Sequence, residues 1–118
     1  MTMLDNLRRA IAELPCRVAG ERYFSRSGDS CVLGHLATVM GDEPVIAMMR
    51  EHNREGTHAL EFEGDGSTYQ RFQAFFGLSS QDLNRLQIKN DAFKGTNHAR
   101  CLRMKTELET LLQKLERR

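Results

Sequence analysis

The chain has 118 residues, of which 40% are apolar and 28% charged, and its formal net charge is +1. This length predicts one compact domain spanning 1–118, and the near-neutral charge does not point to nucleic-acid or membrane binding. No apolar run approaches the roughly 18 residues of a membrane span. The three cysteines, an odd number without a Cys-x-x-Cys pair, indicate reduced thiols in a cytoplasmic protein.

The first predicted element is an amphipathic helix. Apolar residues recur every three or four positions between 4 and 14, and Pro15 ends the pattern. Thr2, followed three positions later by Asp5, predicts a capping box at its start. Positions 22–26 then predict a short extended segment that leads into a glycine turn.

The stretch after that turn predicts the central helix of the domain, over 31–40. Asp29 or Ser30 is a candidate cap, and Gly41 suits the left-handed position that ends a helix. The block between them is apolar on all sides, which is typical of a buried helix. Gly34 lowers helix propensity, so we expect a neighbouring backbone to pass close to it. The residues expected to be nearly fully buried are Leu33, Leu36, Val39 and Met40.

Four further elements are predicted before the last helix. A helix begins at Asp42-Glu43-Pro44 and stops at Gly56. Residues 58–63 alternate as a strand does, and with 22–26 they would form an antiparallel ribbon. An aromatic helix then begins at Ser67 or Thr68 and ends at Gly77. A short helix follows Ser79, and the stretch 90–95 is interpreted as the break after it, with Asn90-Asp91 as cap- or turn-forming residues.

The last helix is predicted from about Thr96 to the end of the chain. Its apolar residues between 101 and 115 follow a near-heptad spacing. This stripe either packs on the core or pairs with a second copy, so a homodimer through 101–115 is an alternative. The resulting fold class is mainly α with a small two-stranded β ribbon, the helices being packed around the buried central helix 31–40.

Three short motifs resemble a set of small uncharacterised phage, prophage and bacterial proteins. They are Gly28-x-x-Cys31-x-Leu33-Gly34-x-Leu36, then Phe76-Gly77-Leu78-Ser79, and then Asn90-Asp91. The resemblance covers residues 20–115 in outline and implies a phage-linked origin, without an established activity. This chain has His35 where that set usually has an apolar residue, and Ala92-Phe93-Lys94 delays the glycine that follows Asn-Asp.

Cys31 is the first candidate for chemistry. A cysteine in the first turn of a helix is close to the positive end of the helix dipole, which favours thiolate. The candidate base of a cysteine-dependent enzyme is one of the histidines, and the candidate orienting group is Asn90 or Asp91. The histidines are His35, His52, His58 and His98. The alternative is a buried thiol that acts as a small hydrophobe, and we expect burial to prevail.

A second candidate is a metal site built by two helices. Cys31 and His35 are four residues apart, and His98 and Cys101 are three apart, so each pair shares one helix face. Two thiolates and two imidazoles would suit zinc if the helices were in contact. Neither spacing is that of a zinc finger, so we expect no metal and no other cofactor.

A third candidate is a basic surface formed by the chain between 84 and 105. Its positive residues are accompanied by Asp91 as the only acidic one. Such a surface could bind an acidic protein or a phosphate backbone. The six basic residues are Arg85, Lys89, Lys94, Arg100, Arg103 and Lys105.

These patterns favour a small intracellular protein that binds another macromolecule, with a regulatory or inhibitory role. A protein partner is expected, and membrane binding is not. The first alternative is the cysteine-dependent enzyme, and the second is a nucleic-acid-binding protein.

Overall fold

The computed structural model describes residues 2–20, 22–26, 28–54 and 66–117. Within these ranges the regular secondary structure is helical, and none of the helices is both long and apolar enough to cross a membrane. The helices are α1 (Met3–Ala12), α2 (Val32–Met40), α3 (Glu43–Arg54), α4 (Gly66–Phe76), α5 (Ser80–Ala92) and α6 (Asn97–Glu116).

The starts of three helices are set by short polar side chains. Thr2 at α1 and Ser79 at α5 each accept a hydrogen bond from the third helical N–H, and the acidic side chain at that third position bonds back, so both are capping boxes. At α6, Thr96 accepts from the Ala99 N–H over 3.0 Å. The predicted starts of these helices are therefore confirmed.

Helix α2 is the centre of the fold, as predicted. It packs against α1, α3, α4 and α5, and Leu33 and Leu36 are completely buried. Val39 is 6% exposed, whereas Met40 is only half-buried because it ends the helix and lines a surface depression with Phe75. The prediction of burial is thus confirmed for three of the four residues and wrong for Met40.

Two glycines give α2 its position. A Cβ on Gly34 would overlap the carbonyl oxygen of Tyr23, so the helix and the preceding segment approach as closely as their backbones allow. Gly41 ends the helix at φ 68°, in the left-handed region that favours glycine. Both predicted roles are confirmed.

The C-terminal stripe packs within the chain. Cys101, Met104 and Leu108 belong to the same buried core as α2, and α6 contacts both α1 and α5. Leu111, Leu112 and Leu115 are partly buried against that core. Most of the apolar surface that suggested a dimer is therefore covered by the protein itself.

The predicted β ribbon is wrong. No strand occurs in the described ranges, and the 22–26 segment forms a single antiparallel bridge, between Phe24 and Ser30. Its partner is the other side of the Gly28 turn, because the chain reverses there and enters α2 directly after. The other proposed strand, 58–63, lies outside the described residues.

The break predicted over 90–95 begins later than expected, since α5 continues through Asn90 and Asp91 to Ala92. The side chain of Asn90 is completely buried and bonds to other segments. Its Oδ1 accepts from the Val32 N–H over 3.1 Å, and its Nδ2 donates to the Ala19 carbonyl over 2.9 Å. Asn90 therefore caps a helix, as asparagine often does, but the helix is α2 and not its own.

Candidate functional site: the His35 cleft

The thiol of Cys31 is enclosed at the start of α2. Cys31 is the N-cap residue, one position before the first turn, and its Sγ accepts from the Gly34 N–H over 3.4 Å. The residue is 2% exposed, and burial raises its pKa to about 12 despite the helix N–H groups that act in the opposite direction. The expectation that burial prevails over the helix dipole is confirmed for the position and protonation of this thiol.

The polar groups around Cys31 are not a base and its orienting group. Its electrostatic neighbours include Asp91, which raises the pKa of the thiol, and Tyr23, whose own pKa is raised by burial first and by Cys31 second. Asp91 accepts from the Asn90 amide over 3.2 Å. A thiol and a phenol whose pKa values are both raised favour their neutral forms, which suits a packed cluster and not an activated nucleophile.

The four metal candidates point to separate partners. The rings of His35 and His98 bond to the carbonyls of Ala10 and Cys16, at 2.7 and 3.0 Å. The Sγ of Cys101 donates to the Pro15 carbonyl over 2.8 Å. In the described part of the chain, no three His, Cys, Asp or Glu residues are grouped as metal ligands would be.

Arg100 is not part of a basic surface. It is 8% exposed, and its guanidinium group donates to the carbonyls of Asn90, Val18 and Phe93 at 3.0 to 3.1 Å. A Cβ on Gly20 would lie 2.9 Å from its Nη2. Arg100 therefore joins α5, α6 and the segment before α2, which is a structural role.

Three of the other five basic residues lie around the carboxylate of Glu107. Lys89 and Arg103 both contact the carboxylate of Glu107, at 3.1 and 3.4 Å. Lys105 is two positions from Arg103 on α6, and residues with that spacing do not share a helix face. Arg85 and Lys94 are exposed. Arg85 lines the same surface depression as Glu107, so this part of the predicted basic region surrounds an acidic residue.

The structure does place His35 at an opening that the sequence did not predict. This His35 cleft lies between α1, the turn at 24–30, α2 and α3, and its volume is about 390 Å³. A cleft of that size is within the usual range for a ligand site, and it would accommodate one or two side chains of a partner. The residues that line it include Arg9, Glu13, Phe24, His35, Thr38 and Arg50.

The imidazole of His35 has a defined tautomer. The Ala10 carbonyl can only accept, so Nε2 carries the proton and donates over 2.7 Å. Burial lowers the pKa of His35 below its ordinary value and outweighs the bond to Ala10, which raises it. The neutral ring therefore has an unprotonated Nδ1, for which the described residues provide no hydrogen-bond partner.

The two cations of the cleft differ. Arg9 bonds to Glu13 over 2.7 Å, so its charge is compensated. The guanidinium carbon of Arg50 lies 4.6 Å from the centre of the Phe24 ring, and no carboxylate of the described residues is within ion-pair distance of it. The cleft thus combines a net positive charge, a hydrogen-bond acceptor and an aromatic surface.

Sequence reasoning identified His35 but not the residues around it. Arg9, Phe24 and Arg50 come from three separate parts of the chain, and no local spacing connects them. The one signal available was a histidine inside an otherwise apolar helix. No protein-family model, curated protein sequence or solved structure matches this chain.

Proposed function

We propose that the protein acts by binding another macromolecule: a protein that presents a carboxylate-bearing segment to the His35 cleft. In this proposal it is a regulatory or inhibitory protein of phage or prophage origin that works in the cytoplasm. The observation that carries the proposal is Arg50, a cation at the cleft that stacks on Phe24. Because the site is positive and partly aromatic, we expect the partner to present an acidic side chain to it.

Arg50 is held ready for an incoming acidic group. A guanidinium group that lies over an aromatic ring retains its in-plane N–H donors for a carboxylate. The ring also limits the rotamers of the arginine, so less conformational entropy is lost on binding. A partner aspartate or glutamate would gain a charge-assisted, two-point hydrogen bond here.

His35 requires a hydrogen-bond donor from the partner, whereas Arg50 requires an acceptor. Its unprotonated Nδ1 accepts a hydrogen bond, so it suits an N–H or O–H group of the partner. A peptide segment supplies both groups within a few residues, because a backbone N–H or a hydroxyl accompanies the acidic side chain. A cleft with one donor and one acceptor therefore selects for more than negative charge.

The charges of the cleft favour a protein over a nucleic acid. A nucleic-acid strand brings regularly spaced phosphates, and its affinity depends on several cations along one surface. The cleft offers Arg50 as a single arginine without an ion-pair partner among the described residues, which is fewer cations than binding of a phosphate backbone requires.

The other two expectations receive less support. The cysteine-dependent enzyme would need substrate access to Cys31, which is 2% exposed. A homodimer through 101–115 stays a prediction for light scattering, and its motivation is reduced by the burial of Cys101, Met104 and Leu108 within the chain.

Heteronuclear NMR titration tests the proposed function. The probe is a pool of short glutamate-containing peptides, and the matched pool carries glutamine in place of each glutamate. We expect shifts of the His35 ring nitrogens and of the Arg50 guanidinium signals with the glutamate pool, and much smaller shifts with the glutamine pool. These changes should weaken with added salt.

Two charge-reversal variants test whether the peptides bind at the cleft or elsewhere on the surface. Arg50→Glu should weaken binding of the glutamate pool by at least about tenfold. Lys94→Glu, at an exposed position of the predicted basic region, should leave it unchanged. A loss with Lys94→Glu and not with Arg50→Glu would contradict the proposal. So would stronger binding of an oligonucleotide than of the peptides, since that outcome favours the nucleic-acid alternative.

A further inference from the structure

The segment after α1 brings two of the three cysteines together. Cys16 is exposed, and its carbonyl accepts from Nδ1 of His98 over 3.0 Å. One position earlier, the Pro15 carbonyl accepts from the Sγ of Cys101 over 2.8 Å. The segment is therefore fixed to the first turns of α6 at adjacent residues.

This geometry limits the distance between the two thiols. In a trans peptide, a carbonyl oxygen lies about 2.8 Å from the next Cα, from standard bond lengths. With the bond to Pro15, the Cys101 sulfur lies within about 5.6 Å of the Cys16 Cα by the same dimensions. A disulfide requires the sulfur to be roughly 1–2 Å closer than that limit, which side-chain rotation and a small movement of an exposed segment provide.

We infer that Cys16 and Cys101 are a site of reversible disulfide formation, with a low-molecular-weight disulfide such as oxidised glutathione as the oxidant. Cys16 reacts first because it is exposed, whereas Cys101 is 6% exposed. This inference does not depend on the proposed function, since neither residue lines the His35 cleft.

The reaction is an ordinary pair of thiol–disulfide exchanges. The Cys16 thiolate attacks one sulfur of oxidised glutathione, and one glutathione thiolate leaves. The Cys101 thiolate then attacks the Cys16 sulfur of the mixed disulfide and releases the second glutathione. Two protein thiols and one glutathione disulfide thus yield one protein disulfide and two reduced glutathiones. Burial and the nearby Cys16 raise the pKa of Cys101, so the second exchange should be the slower one.

Cys31 provides an internal control. It is enclosed at the start of α2, and its sulfur accepts a hydrogen bond from the Gly34 N–H. It should remain a thiol under conditions that oxidise the other two. A cross-link between positions 16 and 101 closes a long loop, which raises the melting temperature by about 5 °C or more.

Peptide mapping of the full chain tests the inference. The protein is incubated with oxidised glutathione at pH 8, quenched with acid and digested without reductant. We expect a linked Cys16–Cys101 peptide, an unmodified Cys31, and reversal by dithiothreitol. The Cys101→Ser variant should instead accumulate a stable glutathione adduct on Cys16, and Cys101→Ala serves as a second variant if the serine form does not fold.

Three outcomes would overturn the inference. The first is a Cys16 adduct that persists in the wild type as long as in Cys101→Ser. The others are a dimer linked through two copies of Cys16 and preferential oxidation of Cys31. Thermal unfolding of the reduced variants shows whether each was folded when it was tested.

Discussion

Cys31, the N-cap residue of α2, and His35 within α2 lie one turn apart and have opposite surroundings. At the start of the helix, Cys31 is covered by the Tyr23 segment and by α5, and the Asn90 side chain completes its cap. One turn later, His35 bonds to α1 by one ring nitrogen and faces a cleft of about 390 Å³. The same helix therefore has a closed end and an open side.

The comparison shows that residue type does not determine which group is available for function. The helix dipole favours an ionised Cys31, yet burial prevails because none of the described residues places a compensating cation beside the thiol. His35 is almost as buried, but its hydrogen bond and the cleft leave one nitrogen available. Packing against neighbouring helices decides between the two, and that packing cannot be read from local spacing.

The largest expected effect tests the central position of α2 itself. Leu36→Ala removes a completely buried side chain between four helices and should lower the free energy of unfolding by about 2–5 kcal/mol. Thr38→Ala, at the exposed position of the same helix, is the matched control and should change it by less than about 1 kcal/mol. Urea denaturation followed by circular dichroism measures both. A loss below about 1 kcal/mol for Leu36→Ala would contradict the central-helix description.

The next largest effect on stability is expected at the closed end of α2, which Asn90 caps. Asn90→Ala deprives both the Val32 N–H and the Ala19 carbonyl of a partner, and should lower the free energy of unfolding by about 2–3 kcal/mol. Gln81→Ala, at an exposed position of α5, is the control. Hydrogen exchange should show the Val32 amide losing protection in Asn90→Ala. An unchanged exchange rate would mean that Asn90 does not cap α2.

A smaller effect on stability is expected from His35, on the open side of α2, and it depends on pH. Since burial lowers the pKa of His35, the unfolded chain binds a proton more readily than the folded protein does. Stability should therefore be complete above the ordinary histidine pKa of about 6.5 and fall as the pH drops below it, by at most about 1.4 kcal/mol per pH unit. The slope should level off once the pH is below the pKa of the folded state.

Two histidine variants test whether His35 causes this dependence of the free energy of unfolding on pH. His35→Gln should reduce it, while His98→Gln, at an exposed position, should retain it. The measurement is the free energy of unfolding in urea at pH 7.5 and pH 5.5. If both variants keep the wild-type slope, His35 is not the residue responsible.

Local signals in the sequence were sufficient for much of the fold. The capping boxes at Thr2 and Ser79 and the end of α2 at Gly41 depend on residues within one turn, so their spacing was enough. Asn90 was misinterpreted because its partners, Val32 and Ala19, are distant in the chain. A residue that usually makes turns remains helical when its side chain is fully bonded elsewhere.

The ribbon was wrong, and Arg100 does not belong to the predicted basic surface, for the same physical reason. Residues 22–26 were predicted to be an extended segment, but the Gly28 turn pairs Phe24 with Ser30 and leads directly into α2. Positive charge between 84 and 105 predicted a surface, but Arg100 turns inward to three carbonyls. In both cases the tertiary neighbours, and not the local pattern, determined the outcome.

The most direct test of the contrast between the two residues of α2 is alkylation of the native protein. Iodoacetamide is added at pH 7.5, and peptide mass spectrometry follows Cys31 and the exposed Cys16 in the same sample. With the thiol enclosed and burial raising its pKa to about 12, Cys31 should react at least about 100-fold more slowly than Cys16. Alkylation of Cys31 at the rate of Cys16 or faster would contradict the closed end of α2 and would favour the cysteine-dependent enzyme over the binding function.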